Sequence, residues 1–99
     1  MIKHIVLFKM KAFNSDEEKK QTLTKLQKAL LDLKPIIKEI ETMEVGLNGN
    51  PKEAYDLALI STHKSWEDLA VYDQNPDHVA VKKMIKEVLD TRSAADFEY

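Results

Sequence analysis

Residues 1–11 read MIKHIVLFKMK, and their alternation predicts a β-strand with apolar side chains on both faces. One face carries mostly large side chains: Ile2, His4, Val6, Phe8 and Met10. The opposite face carries Ile5 and Leu7 between lysines. Because neither face is polar throughout, we expect neither to lie fully against water.

Helix and strand signals alternate along the rest of the chain. A capping box at Ser15 to Glu18 opens a helix that Pro35 ends or kinks. Its apolar face repeats at steps of three and four: Leu23, Leu26, Leu30, Leu33 and Ile37. Strands are predicted from Ile40 to Leu47 and from Tyr55 to His63, separated by the turn residues 48–51. In the later strand one face is expected to hold Tyr55, Leu57, Leu59, Ser61 and His63, and the other Asp56, Ala58, Ile60 and Thr62.

Residues 72–78 read YDQNPDH and break the second helical region in two. Ser65 caps a short helix that ends near Gln74. Proline disfavours helical geometry in the residue before it, so Asn75 is predicted as the N-cap of a new helix that starts at Pro76. This helix carries an amphipathic set: Val79, Val81, Met84, Ile85, Val88 and Leu89. Residues 92–99 are predicted to form a last strand.

The resulting β-α-β-β-α-β order predicts a ferredoxin-like α+β sandwich with a four-stranded antiparallel sheet and both helical layers on one face. We expect residues 1–99 to form a single domain. The other sheet face would expose Ile5, Leu7, Ala58 and Ile60, an apolar patch larger than monomers usually present to water. A homodimer that packs through this open face is therefore expected.

Composition excludes several classes of partner. The chain has 99 residues, 43% of them hydrophobic, and a net charge of -2 without a basic stripe, so we expect no nucleic acid to bind. Without cysteine there can be no disulfide and no thiolate metal site. The longest apolar run, Ile5 to Phe8, is too short for a membrane span, and no secretion signal is recognised. A cytoplasmic protein is the expectation.

Five segments in this order and spacing are similar to the stress-responsive dimeric A/B barrel (Dabb) family: residues 3–9, 44–46, 55–59, 72–78 and 96–97. The resemblance covers nearly the whole chain. It implies two ferredoxin-like subunits whose sheets pack face to face into an α/β barrel. The open sheet face leads independently to the same dimer.

The resemblance also carries implications for chemistry. Some plant members are polyketide cyclases that use a histidine and a tyrosine like His78 and Tyr72, with a further histidine corresponding to His4. This chain departs from them at Leu57 and Gln27, where they carry a histidine and a tyrosine. Some relatives bind magnesium through backbone carbonyls, which would here belong to Leu31, Lys34 and Ile37.

His78, Tyr72 and His4 are therefore the candidate catalytic residues. At the start of a helix the neutral imidazole of His78 is favoured, and it would act as a general base while the Tyr72 hydroxyl donates to an enolate oxygen and His4 orients the pair. In the structural interpretation, His78 instead bonds the backbone near Tyr72, which is then a core residue. His63 is interpreted as solvent-exposed, without a role.

Four functions stay open. The first is a homodimer that binds a hydrophobic small molecule in a cavity between sheet and helices, in a stress response. The alternatives are a cofactor-independent polyketide-cyclase-like or isomerase enzyme, a cofactor-free oxygenase, and a purely structural dimerisation domain. No metal or cofactor site is predicted. Arg92 and Asp96 are interpreted as a structural ion pair, and Trp66 either covers the cavity or rests on the core.

Overall fold

Strands and helices follow one another as predicted along residues 1–99, all of which the computed structural model describes. The strands are β1 (Ile2–Met10), β2 (Thr42–Leu47), β3 (Leu57–His63) and β4 (Leu89–Glu98). The helices are α1 (Asp16–Leu31), α2 (Trp66–Gln74) and α3 (Pro76–Val88). The ferredoxin-like order is confirmed, with its second helix divided into α2 and α3.

One antiparallel sheet joins the strands in the order β2-β3-β1-β4. The opening segment of the sequence is thus an inner strand, with β3 on one side of it and β4 on the other. Ile5 lies opposite Ile60 on β3 and Ala95 on β4. Directly paired residues share a sheet face, so the alternation read along β1 sets the faces of its two neighbours.

The core lies between one face of this sheet and the three helices. Every second residue of β1 from Val6 to Met10 is buried there, together with Leu23, Leu26 and Leu30 of α1. On the opposite face Leu7 is 36% exposed and Phe97 is 43% exposed, and no helix covers them. None of the helices has the length and apolar character needed to cross a membrane.

The break between α2 and α3 is built by two residues. Asn75 has φ -60° and ψ 133°, outside the helical region, and its side chain accepts a hydrogen bond of 2.9 Å from the Asp77 backbone N–H. Pro76 then occupies the first turn of α3, where its missing N–H costs nothing. The predicted N-cap is confirmed, and α3 starts in a new direction.

Three element boundaries differ from the predictions. α1 ends at Leu31. Leu33, before Pro35, and Ile37, after it, therefore reach the core from the turn that follows the helix. β2 starts at Thr42, two residues later than predicted. The sequence pattern predicts Leu89 as part of the helix. In the structure β4 starts at Leu89, because this residue pairs with Met10 of β1. Strand pairing across 79 residues of sequence here overrides a local helical pattern.

The start of the third strand is also different. Tyr55 and Asp56 precede β3, and their predicted faces are inverted. The Asp56 carboxylate lies on the helical side, where it accepts 2.8 Å from the Met10 backbone N–H and pairs with Lys19 of α1 at 2.9 Å. The Tyr55 side chain lies on the open face and extends across β1. Its hydroxyl is 2.7 Å from the hydroxyl of Ser93 on β4. An unpaired N–H of Met10 would be costly, and satisfying it turns Asp56 inward.

Candidate functional site

A cavity of about 280 Å³ lies between the sheet and helices α2 and α3. Its apolar lining comes from every layer of the fold: Val6, Phe8, Leu30, Leu59, Ile85 and Leu89. His4, Tyr72 and His78, the three candidate catalytic residues, line the same cavity. We call this space the sheet–helix cavity. A larger surface groove of about 510 Å³ beside Phe13 is mostly polar and contains none of these groups.

The ring of Tyr72 lies at the centre of an aromatic cluster. His78 stacks on it with ring centroids 4.1 Å apart, His63 lies tilted at 5.0 Å, and His4 meets it edge-on at 6.2 Å. These are all the histidines of the chain. Tyr72 is 1% exposed, and its hydroxyl is the one buried side-chain polar atom that has no hydrogen-bond partner. Burial raises the pKa of this hydroxyl, which therefore stays protonated.

His78 is buried in the first turn of α3, and its Nδ1 lies 3.2 Å from the carbonyl oxygen of Asp73. Because a carbonyl can only accept, Nδ1 carries the proton and Nε2 keeps a lone pair. Burial lowers the pKa of His78, against the opposing effect of that backbone bond. His78 therefore combines the backbone contact of the structural interpretation with a neutral imidazole whose second nitrogen is an acceptor.

His4 projects from β1 towards the helices, as the strand pattern predicts, and its Nδ1 lies 2.5 Å from a carboxylate oxygen of Asp96 on β4. The two residues are opposite each other in the β1–β4 ladder. The predicted pairing of Arg92 with Asp96 is wrong. Residues four apart in a strand are separated by about 13 Å, so they share a face without touching.

His63 is fully buried, and the prediction that it is solvent-exposed is wrong. Its Nδ1 donates to the Glu39 carbonyl at 2.8 Å, and its Nε2 accepts from the Ser61 hydroxyl at 2.9 Å. Desolvation lowers its pKa. Both ring nitrogens of His63 are therefore engaged in hydrogen bonds within the protein, and the ring packs against Tyr72. The strand alternation predicts His63 on the same face as Leu57 and Leu59, and all three residues are buried.

Cations surround the open side of the cavity. Arg92 lies opposite Phe8 in the ladder and hence on the cavity face of β4, and Lys82 and Lys86 approach from α3. Lys82 pairs with Asp73 at 2.7 Å and lowers the pKa of that carboxyl. No ion pair involves Arg92 or Lys86. The sequence analysis did not place Arg92 at the cavity because it linked Arg92 to Asp96.

The positions that set this chain apart from cyclising relatives lie elsewhere. Neither Leu57 nor Gln27 lines the sheet–helix cavity, and Gln27 donates to the Val45 carbonyl of β2 at 2.7 Å. Trp66 does not cover the cavity either, because it is 46% exposed and donates to Glu98 at 2.8 Å.

Two of the three carbonyls that the resemblance associates with magnesium, in the turn after α1, accept backbone hydrogen bonds. The carbonyls of Leu31 and Ile37 accept the backbone N–H groups of Lys34 and Ile40, at 3.2 and 3.1 Å. The nearby Asp32 carboxylate is paired with Lys28. No group of three potential side-chain ligands for a metal ion occurs in the protein.

Comparison with known proteins identifies the family. The model of the stress-responsive A/B barrel domain matches residues 2–99. The chain belongs to the Dabb family. A dimeric protein of unknown function with a ferredoxin-like fold, from Bacteroides fragilis, is 37% identical to this Dabb chain, with a TM-score of 0.93 and coverage of 99% of this chain and 95% of that chain.

Two further solved structures resemble this Dabb protein. A dimeric ferredoxin-like protein of unknown function from Thermobifida fusca is 27% identical, with a TM-score of 0.80 and coverage of 99% and 90% of the two chains. A hydroxynitrile lyase from Passiflora edulis is 17% identical, with a TM-score of 0.80 and coverage of 97% and 90%, and shares the fold. No curated protein matches the sequence.

The neutral histidines predict how the stability of this Dabb protein depends on pH. An unfolded histidine takes up a proton near pH 6.5, whereas burial lowers the pKa of His63 and His78 in the folded state. The unfolded chain then binds more protons, so stability falls as the pH drops below about 6.5. We expect Tm, measured by circular dichroism, to decrease from pH 7 to pH 5.

The variant His78→Gln is the matched control because it removes one of the two titrating groups. Its Tm should depend less steeply on pH over the same range. Asp73 does not interfere, since a carboxyl with a lowered pKa loses its contribution only below about pH 4. A wild-type Tm that is constant or rises between pH 7 and pH 5 would contradict the assignment.

Proposed function

We propose that this Dabb protein binds a hydrophobic small molecule in the sheet–helix cavity. The observation that carries the proposal is a mainly apolar cavity lined by Tyr72, whose buried hydroxyl has no partner. Ligand sites in proteins combine an apolar lining with a few polar groups that fix orientation, in volumes of roughly 300–1,000 Å³. A cavity of about 280 Å³ is at the lower end of that range and suits a small ligand.

The Tyr72 hydroxyl supports this proposal energetically. A buried polar group without a hydrogen bond costs about 1–3 kcal/mol, so such groups are rare outside functional sites. Three imidazoles pack around the ring, and none of them accepts a hydrogen bond from the hydroxyl. A ligand with an oxygen acceptor would satisfy the hydroxyl. The stress response in the family's description supplies no ligand, and that setting stays a prediction.

A test uses 1-octanol as the probe, titrated into the ¹⁵N-labelled protein and followed by NMR. We expect saturable shifts at cavity residues such as Val6 and Ile85. Leu89→Trp, which fills the cavity from a half-buried lining position, should abolish the saturable shifts. Leu31→Trp adds the same side chain outside the cavity and should leave binding unchanged. Equal binding by both variants, or none by the wild type, would refute the proposal.

A second candidate is a cofactor-independent enzyme acting on a carbonyl compound, of the cyclase or isomerase type. It is favoured by the neutral His78, which keeps a lone pair on Nε2 beside the protonated Tyr72 hydroxyl. Nε2 would accept the proton from the carbon next to the carbonyl while Tyr72 donates a hydrogen bond to the enolate oxygen. Asp96 would hold His4 in one tautomer at the edge of the same ring.

This candidate predicts proton exchange. In D₂O the protein should catalyse deuterium incorporation next to the carbonyl of 2-octanone, measured by ¹H NMR. His78→Gln should lower the catalysed rate by about 10²–10⁴-fold, as loss of a general base does. Tyr72→Phe should also lower it, yet keep or raise Tm, because the lost hydroxyl has no partner. Exchange no faster than in buffer would remove this candidate while leaving ligand binding in place.

We also propose that two copies of the chain pack through the open sheet face. Leu7 and Phe97 are exposed there beside Ile5, Ala58 and Ile60, and the similar proteins from Bacteroides fragilis and Thermobifida fusca are described as dimeric. Covering apolar area stabilises association by about 25 cal/mol per Å² before its entropic costs.

Leu7→Lys should therefore give a monomer in size-exclusion chromatography with light scattering, because it places a charge at the centre of that face. Leu31→Lys is a matched control, since Leu31 at the end of α1 is 38% exposed against 36% for Leu7. It should leave the dimer intact. A wild-type monomer at micromolar concentration, or an intact dimer in Leu7→Lys, would contradict this arrangement.

A further inference from the structure

We propose that the sheet–helix cavity selects an amphipathic carboxylate, such as a medium-chain fatty acid, whose charged end binds Arg92 and Lys86 while its apolar chain lies on Val6, Phe8 and Ile85. The inference rests on the proposed ligand-binding function. It adds the charge and shape of the ligand.

The charge of the cavity is opposite to that of the protein. The whole chain has a net charge of -2, yet the cavity is lined by three cations and one carboxylate. Lys82 neutralises that carboxylate, Asp73. Arg92 and Lys86 remain without an ion pair at the edge of an apolar space. Both side chains are exposed, so they are available to an anion at the opening, and salt screens the attraction.

Arg92 is the only arginine among the 15 basic residues of the chain, and it occurs at this cavity. Its place opposite Phe8 puts its side chain on the cavity face of β4, at an exposed position. A guanidinium presents a planar fork of N–H donors that matches a carboxylate with two parallel hydrogen bonds. Lys86 on α3 supplies a second positive charge across the opening.

The interior of the cavity is suited to the rest of such a ligand. Its walls are aliphatic and aromatic, and His78 is neutral, so no charge opposes an alkyl chain there. A cationic rim over an apolar interior is the complement of a molecule that is charged at one end only.

The experiment compares octanoate with 1-octanol, two probes with equal chain length and different head groups, by NMR titration at pH 7.5. Arg92→Met should raise the Kd of octanoate about tenfold or more, because loss of a hydrogen bond to a charged group weakens binding by at least about this factor. The same variant should leave the Kd of 1-octanol unchanged. Lys83→Met removes an equal charge from an exposed position outside the cavity and should change neither Kd. Arg92→Lys should give an intermediate Kd. Added salt should weaken octanoate alone.

The outcomes separate this inference from the proposed function. If 1-octanol binds and octanoate does not, or if Arg92→Met leaves the Kd of octanoate unchanged, the cavity binds apolar molecules without selecting anions and the inference is overturned. A parallel loss of both probes in Arg92→Met would show that Arg92 acts through packing, which also overturns it. If neither probe binds the wild type, the proposed function fails together with the inference.

Discussion

The stacking of His78 on Tyr72 is the contact on which the candidate site depends. In an uninterrupted α-helix, residues six apart are displaced by about 9 Å along the axis and point to different sides, so their rings cannot stack. Here the centroids are 4.1 Å apart because Pro76 and Asn75 redirect the chain between them. The break in the helix thus places the imidazole at the start of α3 over a tyrosine in the last turn of α2. His4 and His63 then pack around the ring from two strands.

The local sequence pattern was sufficient to predict the features that depend on residues close together in the chain. The alternation in β1 placed His4 on the helical face, and the Asn75–Pro76 pair located the helix break. Features that depend on pairing between distant segments were missed. Asp96 meets His4 because β4 is in register with β1 across 92 residues, and Leu89 enters the sheet for the same reason. The burial of His63 follows from the cover that α2 and the turn before β2 provide, which its position at the end of a strand did not suggest.

Electrostatically the site has two zones. The interior contains histidines that burial keeps neutral and a tyrosine that burial keeps protonated, so it is polar without being charged. The charges lie at the opening, where water screens them and where Lys82 and Asp73 neutralise each other. Such a division allows an apolar molecule to enter without desolvating an ion and still supplies a hydrogen-bond donor inside. Membership of the Dabb family fixes the scaffold, whereas function depends on the residues that line the site built on it.

β4 forms one edge of the sheet, and all of its residues after Leu89 are exposed. An exposed edge offers unpaired backbone groups to any other strand and is a common route to aggregation. Four charged residues are distributed along this edge: Asp90, Arg92, Asp96 and Glu98. Three of them point to the helical side, where a strand added at the edge would have to bury them beside its own side chains. Arg92, which lines the cavity, is therefore also one of the charges that oppose growth of the protein into a continuous sheet.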